Sequence, residues 1–167
     1  KKDYFLLTLH RPETVDKFKK LIKLINVFEK LGKRFDKKFI FPIHPRTKKI
    51  LNQKKMKRIN YIKFIEPLEF IDFLYLMKNS KIIFTDSGGI QEESSLLGIP
   101  CVTIRNSTER QLSILKKSNI LTGYDYTKIF NAIKYFEKNK IKPSNIFGSG
   151  NTAAKIFKSL SMFFKKY

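Results

Sequence analysis

The sequence predicts an α/β protein, a doubly wound parallel sheet with helices on both faces. Two observations predict it. Short apolar runs alternate with amphipathic segments along the chain, and polar residues gather just after the apolar runs. Such alternation implies a parallel sheet covered on both sides. Sheets of this kind bind ligands at the carboxyl ends of their strands. The 167 residues suit one domain with a single core.

Tyr4 to Leu9 is the first strand. From Val15 to Leu31 the apolar residues Phe18, Leu21, Ile22, Ile25 and Phe28 step by three and four, which makes a helix face. Gly32 is the expected stop. Lys38 to Ile43 is the second strand, Thr47 to Gln53 a short helix and Tyr61 to Ile65 the third strand. Glu69 to Lys78 carries Phe70, Phe73, Leu74 and Met77 on one helical face. Lys81 to Thr85 is a strand, Ile90 to Leu97 a helix and Cys101 to Ile104 a strand. Asn119 to Thr122, ended by Gly123, is a short sixth strand. Tyr126 to Lys138 is a helix with Ile129, Ala132, Ile133 and Phe136 inward, and Thr152 to Phe164 is the last helix. The informative loops are therefore His10 to Thr14, His44 to Arg46, Glu66-Pro67, Asp86 to Gly89 and Arg105 to Arg110.

Composition removes several function classes. No apolar stretch approaches the roughly 20 residues of a membrane span. The segment Lys1 to Leu7 has no small-residue cleavage site and reads as a strand, not a signal peptide. The one cysteine, Cys101, excludes an internal disulfide, fits a cytoplasmic location and reads as core. No Cys and His residues have zinc-ligand spacing, so no metal is expected. The net charge of +21 raises the question of nucleic acid. Of the 35 basic residues 29 are Lys and 6 are Arg, spread along the chain beside Ile, Asn and Phe. That pattern is a compositional bias with lysines on solvated faces. A nucleic-acid surface draws more on Arg and concentrates its charge. Neither nucleic acid nor a membrane is expected as a partner.

The strongest motif is Thr85-Asp86-Ser87-Gly88-Gly89-Ile90-Gln91-Glu92-Glu93, directly after a strand. Gly88 and Gly89 let the backbone turn and come close to a ligand. The following helix offers free N–H groups and a positive dipole end, and Ser87 adds a hydroxyl. Together they suit a diphosphate. Glu93 lies about one turn further on, where a carboxylate can accept hydrogen bonds from a ribose diol. The plainer reading is a Ser N-cap and a glycine turn, with Glu92 and Glu93 favouring the helix start.

Other strand ends carry supporting chemistry. His10 and Arg11 could both face an anionic ligand, and His is the natural acid/base at neutral pH. His44-Pro45-Arg46 repeats this after the second strand. Phe73 could pack on a nucleobase, although its apolar stripe also suits core. Arg105 to Arg110 brings two guanidiniums after a buried strand, suited to phosphates or to an ion pair with Glu109.

The ordered set His10-Arg11-Pro12-Glu13, Phe41-Pro42-Ile43-His44-Pro45, Asp86 to Glu93, Gly98-Ile99-Pro100 and Thr108-Glu109-Arg110 resembles the non-hydrolysing UDP-N-acetylglucosamine 2-epimerases. The resemblance runs over nearly the whole chain. It implies a Rossmann-like domain forming one half of a glycosyltransferase B-type two-domain fold. Residues 1–167 would then be a single UDP-sugar-binding domain, the C-terminal half, with the N-terminal domain absent and supplied by the same or a separate chain. It implies conversion of UDP-N-acetylglucosamine to UDP-N-acetylmannosamine by elimination and re-addition of UDP, with no cofactor, in a homodimer when complete.

By the same resemblance His10 is catalytic. Arg11, read from its place beside His10, and Phe73, Ser87, Gly88, Gly89, Glu93 and Arg110 contact UDP. His44 matches a histidine at a regulatory UDP-sugar site. The family's catalytic carboxylates belong to the other domain, so this chain alone is expected to be inactive. The sequence departs from the usual family pattern at Pro12, Thr14, Gln111-Leu112 and Gly148-Ser149-Gly150. A hydrolysing relative, a glycosyltransferase of similar architecture and a non-catalytic UDP-binding module are the alternatives.

Overall fold

Alternation along the first strand divides the molecule. Phe5 and Leu7 face one layer of core and Leu6 the other. The computed structural model describes residues 3–52 and 59–164, without the side chains of Arg46 and Asn52. Its strands are β1 (Tyr4–Thr8), β2 (Lys38–Pro42), β3 (Ile62–Ile65), β4 (Ile83–Thr85), β5 (Cys101–Thr103) and β6 (Asn119–Leu121). Its helices are α1 (Pro12–Val15), α2 (Phe18–Phe35), α3 (Pro45–Asn52), α4 (Phe70–Asn79), α5 (Gly88–Leu97), α6 (Gln111–Leu115), α7 (Tyr126–Lys138) and α8 (Thr152–Phe164). The strands form one sheet in the order β3-β2-β1-β4-β5-β6, each neighbouring pair parallel.

That order is the doubly wound one predicted. The chain winds outward from β1 in one direction and from β4 in the other. The loops after these two strands diverge and leave a crevice at their carboxyl ends. Thr8 and Thr85 close the ends of β1 and β4 through a 2.9 Å hydroxyl–hydroxyl bond.

The larger core layer joins β1, β2 and β4 to α2 and α7. At its centre Phe5, Phe28, Phe39 and Phe84 pack with ring centroids 5.1–5.7 Å apart. The smaller layer joins Leu6 and Ile83 to Met77 of α4, with Phe73, Leu74 and Ile90 packed against it. Ile129, Ala132, Ile133 and Phe136 of α7 are buried as predicted. Cys101 is fully buried, and burial pushes its thiol up to about 12, as befits a core residue.

Several boundaries differ from the sequence reading. Gly32 does not stop its helix. α2 runs on to Phe35 and ends at Asp36, in the left-handed region at φ 48°. Gly32 is needed for close packing, since a Cβ there would stand 2.4 Å from Tyr61 Cβ. The segment expected to open a helix at Val15 is split into α1 and α2, because Lys17 is extended. α5 begins at Gly88, so the glycines form its first turn. Phe70, placed inward by periodicity, is 61% exposed. α8 has no buried residue, although its pattern is amphipathic. α6 was not expected. Gln53, the expected end of the third helix, lies outside the described residues. Among the described residues no helix is long and apolar enough to cross a membrane, and no group of three His, Cys, Asp or Glu could hold a metal.

Candidate functional site

The site is built around a buried carboxylate at the switch between β1 and β4. Asp86, the first residue after β4, is fully buried. Its oxygens accept hydrogen bonds from the backbone N–H of His10 at 3.2 Å and of Arg11 at 3.1 Å. His10 Nδ1 lies 3.1 Å from Asp86 Oδ1. Arg11 Nε donates to the Asp86 carbonyl at 2.9 Å. One residue after β4 thus fixes two residues after β1. The His10 imidazole is half exposed, and its hydrogen bond to Asp86 raises its pKa despite partial burial.

The glycine loop stands beside this pair. Ser87 occupies the N-cap of α5 with extended backbone but makes no side-chain capping bond. The first-turn N–H groups of α5 are therefore not capped by that hydroxyl, as an anion site at a helix N-terminus requires. The Ser87 N–H donates to Thr85 Oγ1 at 3.0 Å, which turns the chain out of β4. At Gly88 a Cβ would stand 2.6 Å from Glu109 Oε1 and 3.8 Å from Arg110 Nη2. The loop after β5 therefore lies directly against the first turn of α5.

Arginines converge there. Arg105 Nη1 donates to Glu109 Oε2 at 2.9 Å, and Arg11 Nη2 lies 3.9 Å from Glu109 Oε1. Arg110 pairs with Glu92. The ion pair considered for the Arg105 to Arg110 loop is present, and it draws in Arg11 as well. Glu109 is held below the usual carboxylate range, first by its own backbone N–H and then, against some desolvation, by Arg105 and Arg11.

A buried polar network ties the two loops together. Gln91 Oε1 accepts from Thr108 Oγ1 at 2.7 Å and from Asn119 Nδ2 at 3.0 Å, while Gln91 Nε2 donates to the Ser87 carbonyl at 3.1 Å. Thr108 Oγ1 in turn accepts from the Arg110 N–H at 3.1 Å. The Thr108–Gln91 and Asn119–Gln91 bonds are buried, so they are made without competition from water.

On the side of β2 a cavity of about 190 Å³ is lined by His10, His44, Pro42, Pro67, Phe73 and Ile90. It brings three of the predicted residues into one crevice. Phe73 is half buried, with its helix neighbours Ile71 and Tyr75 exposed. Glu93 and Arg110 do not line that crevice. Glu93 is half buried further along α5, where burial, and next Glu92, raise its pKa. Arg46, read with His44, has no described side chain. A larger open groove of about 720 Å³ runs along α2 beside Lys19, Lys23 and Tyr126 and contains none of the predicted residues.

Sequence reasoning gave no role to Asp86, Gln91 or Thr108. All three stand in the motifs that were singled out. Their importance comes from burial and partners 17 to 76 positions away, which spacing along the chain does not encode.

The family model for UDP-N-acetylglucosamine 2-epimerase matches residues 1–161. A UDP-N-acetylglucosamine 2-epimerase of Methanococcus maripaludis is 46% identical over 153 residues, covering 89% of this chain and 42% of that protein. The crystal structure of the Methanocaldococcus jannaschii enzyme in complex with UDP-GlcNAc and UDP superposes with a TM-score of 0.87 at 41% identity. The match covers 96% of this chain and 46% of that one. The Neisseria meningitidis enzyme bound to UDP-GlcNAc gives a TM-score of 0.80 at 29% identity, over 96% of this chain and 45% of that one. The chain thus spans less than half the length of these relatives.

Proposed function

This chain belongs to the UDP-N-acetylglucosamine 2-epimerase family, and from that premise we propose that it is the nucleotide-binding, C-terminal half of an enzyme interconverting UDP-N-acetylglucosamine and UDP-N-acetylmannosamine. The observation that carries the proposal is the convergence at the β1/β4 switch point. A glycine first turn without a side-chain cap, two guanidiniums from Arg11 and Arg110, and the His10 imidazole surround one small region.

In this reading the diphosphate sits on the backbone of Ser87, Gly88 and Gly89, with Arg11 and Arg110 neutralising its charge. Glu93 accepts the ribose hydroxyls one turn along α5. Phe73, half exposed at the crevice, offers a ring face to the base. His44 lines the same crevice as His10, so a second, regulatory UDP-sugar bound there would lie next to the first.

In the reaction a base removes the C2 proton and the C2 electron pair forms a C1–C2 double bond. The C1–O bond breaks, and UDP leaves with the electron pair of that bond as a 2-acetamidoglucal forms. A proton then returns to the opposite face of C2 and UDP adds back to C1. The sequence balances without an external electron donor. His10 lies where the departing diphosphate gains charge. Groups on both faces of C2 are also needed. We assign those carboxylates to the part of the relatives that this chain does not span.

Two measurements test the proposal together. Titration should give saturable, one-to-one UDP binding that Gly88→Val abolishes with the circular dichroism spectrum unchanged. The fold should survive because the side chain would meet the movable ends of Glu109 and Arg110 and no backbone. In heavy water the 167-residue chain alone should not exchange the C2 proton of UDP-N-acetylglucosamine. Failure to bind UDP, or Gly88→Val binding as well as wild type, overturns the nucleotide site. Exchange by the chain alone overturns the assignment of the acid/base groups elsewhere.

A further inference from the structure

The Asp86 carboxylate has two kinds of partner, and only one of them is explained by folding. Its bonds to the backbone N–H groups of His10 and Arg11 hold the loop after β1. Its approach to His10 Nδ1 does something else. An ionised carboxylate only accepts hydrogen bonds, so the ring nitrogen facing it must carry the proton. The neutral imidazole is then the Nδ1–H tautomer, and its bare nitrogen is Nε2, on the opposite side of the ring. The ring lines the crevice shared with Phe73 and Ile90.

We propose that Asp86 is the positioning residue of this site, fixing the tautomer of His10 so that Nε2 is the nitrogen offered to the bound nucleotide sugar. The proposal rests on the nucleotide-sugar reading given above and adds to it a residue that never touches the ligand. Its logic is that of an imidazole held by a buried carboxylate, which sets orientation and stabilises the protonated ring. Once protonated, His10 keeps Nδ1–H on Asp86 and donates Nε2–H, so it can hold a departing diphosphate oxygen. The Arg11 N–H and Nε bonds to the same residue keep the guanidinium in step with the ring. The charged or titratable neighbours are Asp86 from the β4–α5 loop, Arg11 from its own loop and His44 across the crevice. Asp86 is the one among them that favours the imidazolium.

The chain has two histidines, which makes the test direct. Nitrogen-15 spectra of the imidazoles, assigned by His44→Gln, report which ring nitrogen is protonated. In wild type above the His10 pKa, Nδ1 should carry the proton and Nε2 should be bare. In Asp86→Asn the amide oxygen can still accept the two backbone N–H bonds, but its NH₂ would face Nδ1. The tautomer should switch to Nε2–H and the His10 pKa should fall. UDP affinity should decline as pH rises through the His10 pKa in wild type, and that step should move to lower pH in Asp86→Asn. A merely structural carboxylate would move neither. A wild-type Nε2–H tautomer, or an unchanged tautomer and pKa in Asp86→Asn, overturns the proposal. If Asp86→Asn does not fold, the wild-type tautomer decides alone. Absence of UDP binding with the Nδ1–H tautomer present counts against the nucleotide reading and supports the Asp86–His10 relation.

Discussion

Glu109 Oε1 stands 2.6 Å from the point where a Cβ on Gly88 would lie, so a carboxylate occupies the mouth of the α5 N-terminus. It holds Arg105 and lies near Arg11, the cations that a phosphate would seek. On the nucleotide reading proposed above, Glu109 stands where the anion would bind. A diphosphate must displace it or share the arginines with it.

Glu109→Gln should therefore tighten UDP binding. The side chain is exposed, so the effect is modest, about two- to fivefold at low salt and smaller at high salt. Titration of both proteins at two salt concentrations measures it. Weaker binding by the variant would make Glu109 an organiser of the arginines instead of a competitor.

Gln91 links three elements, and its removal should be felt in stability first. Gln91→Leu would leave the buried Thr108 hydroxyl without its acceptor, reduce Asn119 Nδ2 to its bond with Ser113, and free the part-buried Ser87 carbonyl of the Gln91 side chain. Unsatisfied buried groups cost about 1–3 kcal/mol each. A loss of at least about 2 kcal/mol in urea unfolding is expected, with the m-value unchanged. UDP affinity should fall as well, because Thr108 holds the Arg110 N–H.

The contrast between Gly88 and Gln91 marks what the sequence made legible. Strand and helix positions followed from apolar periodicity, and the glycine run after β4 stood out by its place, although Gly88 and Gly89 are helical and Gly88 serves close approach, not a turn. The burial of Gln91 was not legible, since a Gln in a helix is ordinarily solvated. Gly32 misled for a related reason. A glycine at a helix end is a stop signal, whereas here it admits Tyr61 from a segment 29 positions away. Phe70 misled too: Phe73, Leu74 and Met77 of its stripe pack on the core, but periodicity does not say how far along the helix the core extends. That His10, Arg11 and Gly88 stand close together was legible from their strand-end positions. The pairing of Glu109 within its own loop was foreseen, whereas its approach to Arg11 and the bonds of Asp86 to the loop after β1 required the strand order.

The His10–Asp86 pair predicts a pH dependence of stability. The hydrogen bond to Asp86 raises the folded-state pKa of His10 above the ordinary imidazole value of 6.5. A raised histidine pKa means that the folded state binds the proton more tightly than the unfolded one. The stabilisation is full below the unfolded value and is lost as pH rises through the folded value. The melting temperature of wild type relative to His10→Gln should fall across that window and level off above it. A difference that is constant with pH would mean the imidazole is not bonded to an ionised Asp86.

Glu93 gives the sharpest test of the nucleotide site, because it separates a specific ligand from the pull of the +21 charge. A carboxylate accepting two ribose hydroxyls makes charge-assisted bonds, each contributing about 1.5–3 kcal/mol. Glu93→Ala should then lower UDP affinity about tenfold or more, with the fold intact. Non-specific attraction predicts the reverse, since removing an acidic residue from a basic surface strengthens any anion slightly, and high salt abolishes the binding. The pH dependence adds a second axis. Burial, and then Glu92, raise the Glu93 pKa above the usual carboxyl value of 4.5. The ribose hydroxyls donate to the ionised form, so binding is strongest above that raised pKa and weakens as pH falls through it. UDP has a phosphate titration of its own, which both proteins share. The ratio of wild-type to Glu93→Ala affinity removes it and should shrink toward unity at low pH. A ratio of one throughout, or tighter binding by the variant at any salt, would end the ribose assignment and leave Glu93 as an ordinary residue of a helix whose first turn holds two glycines.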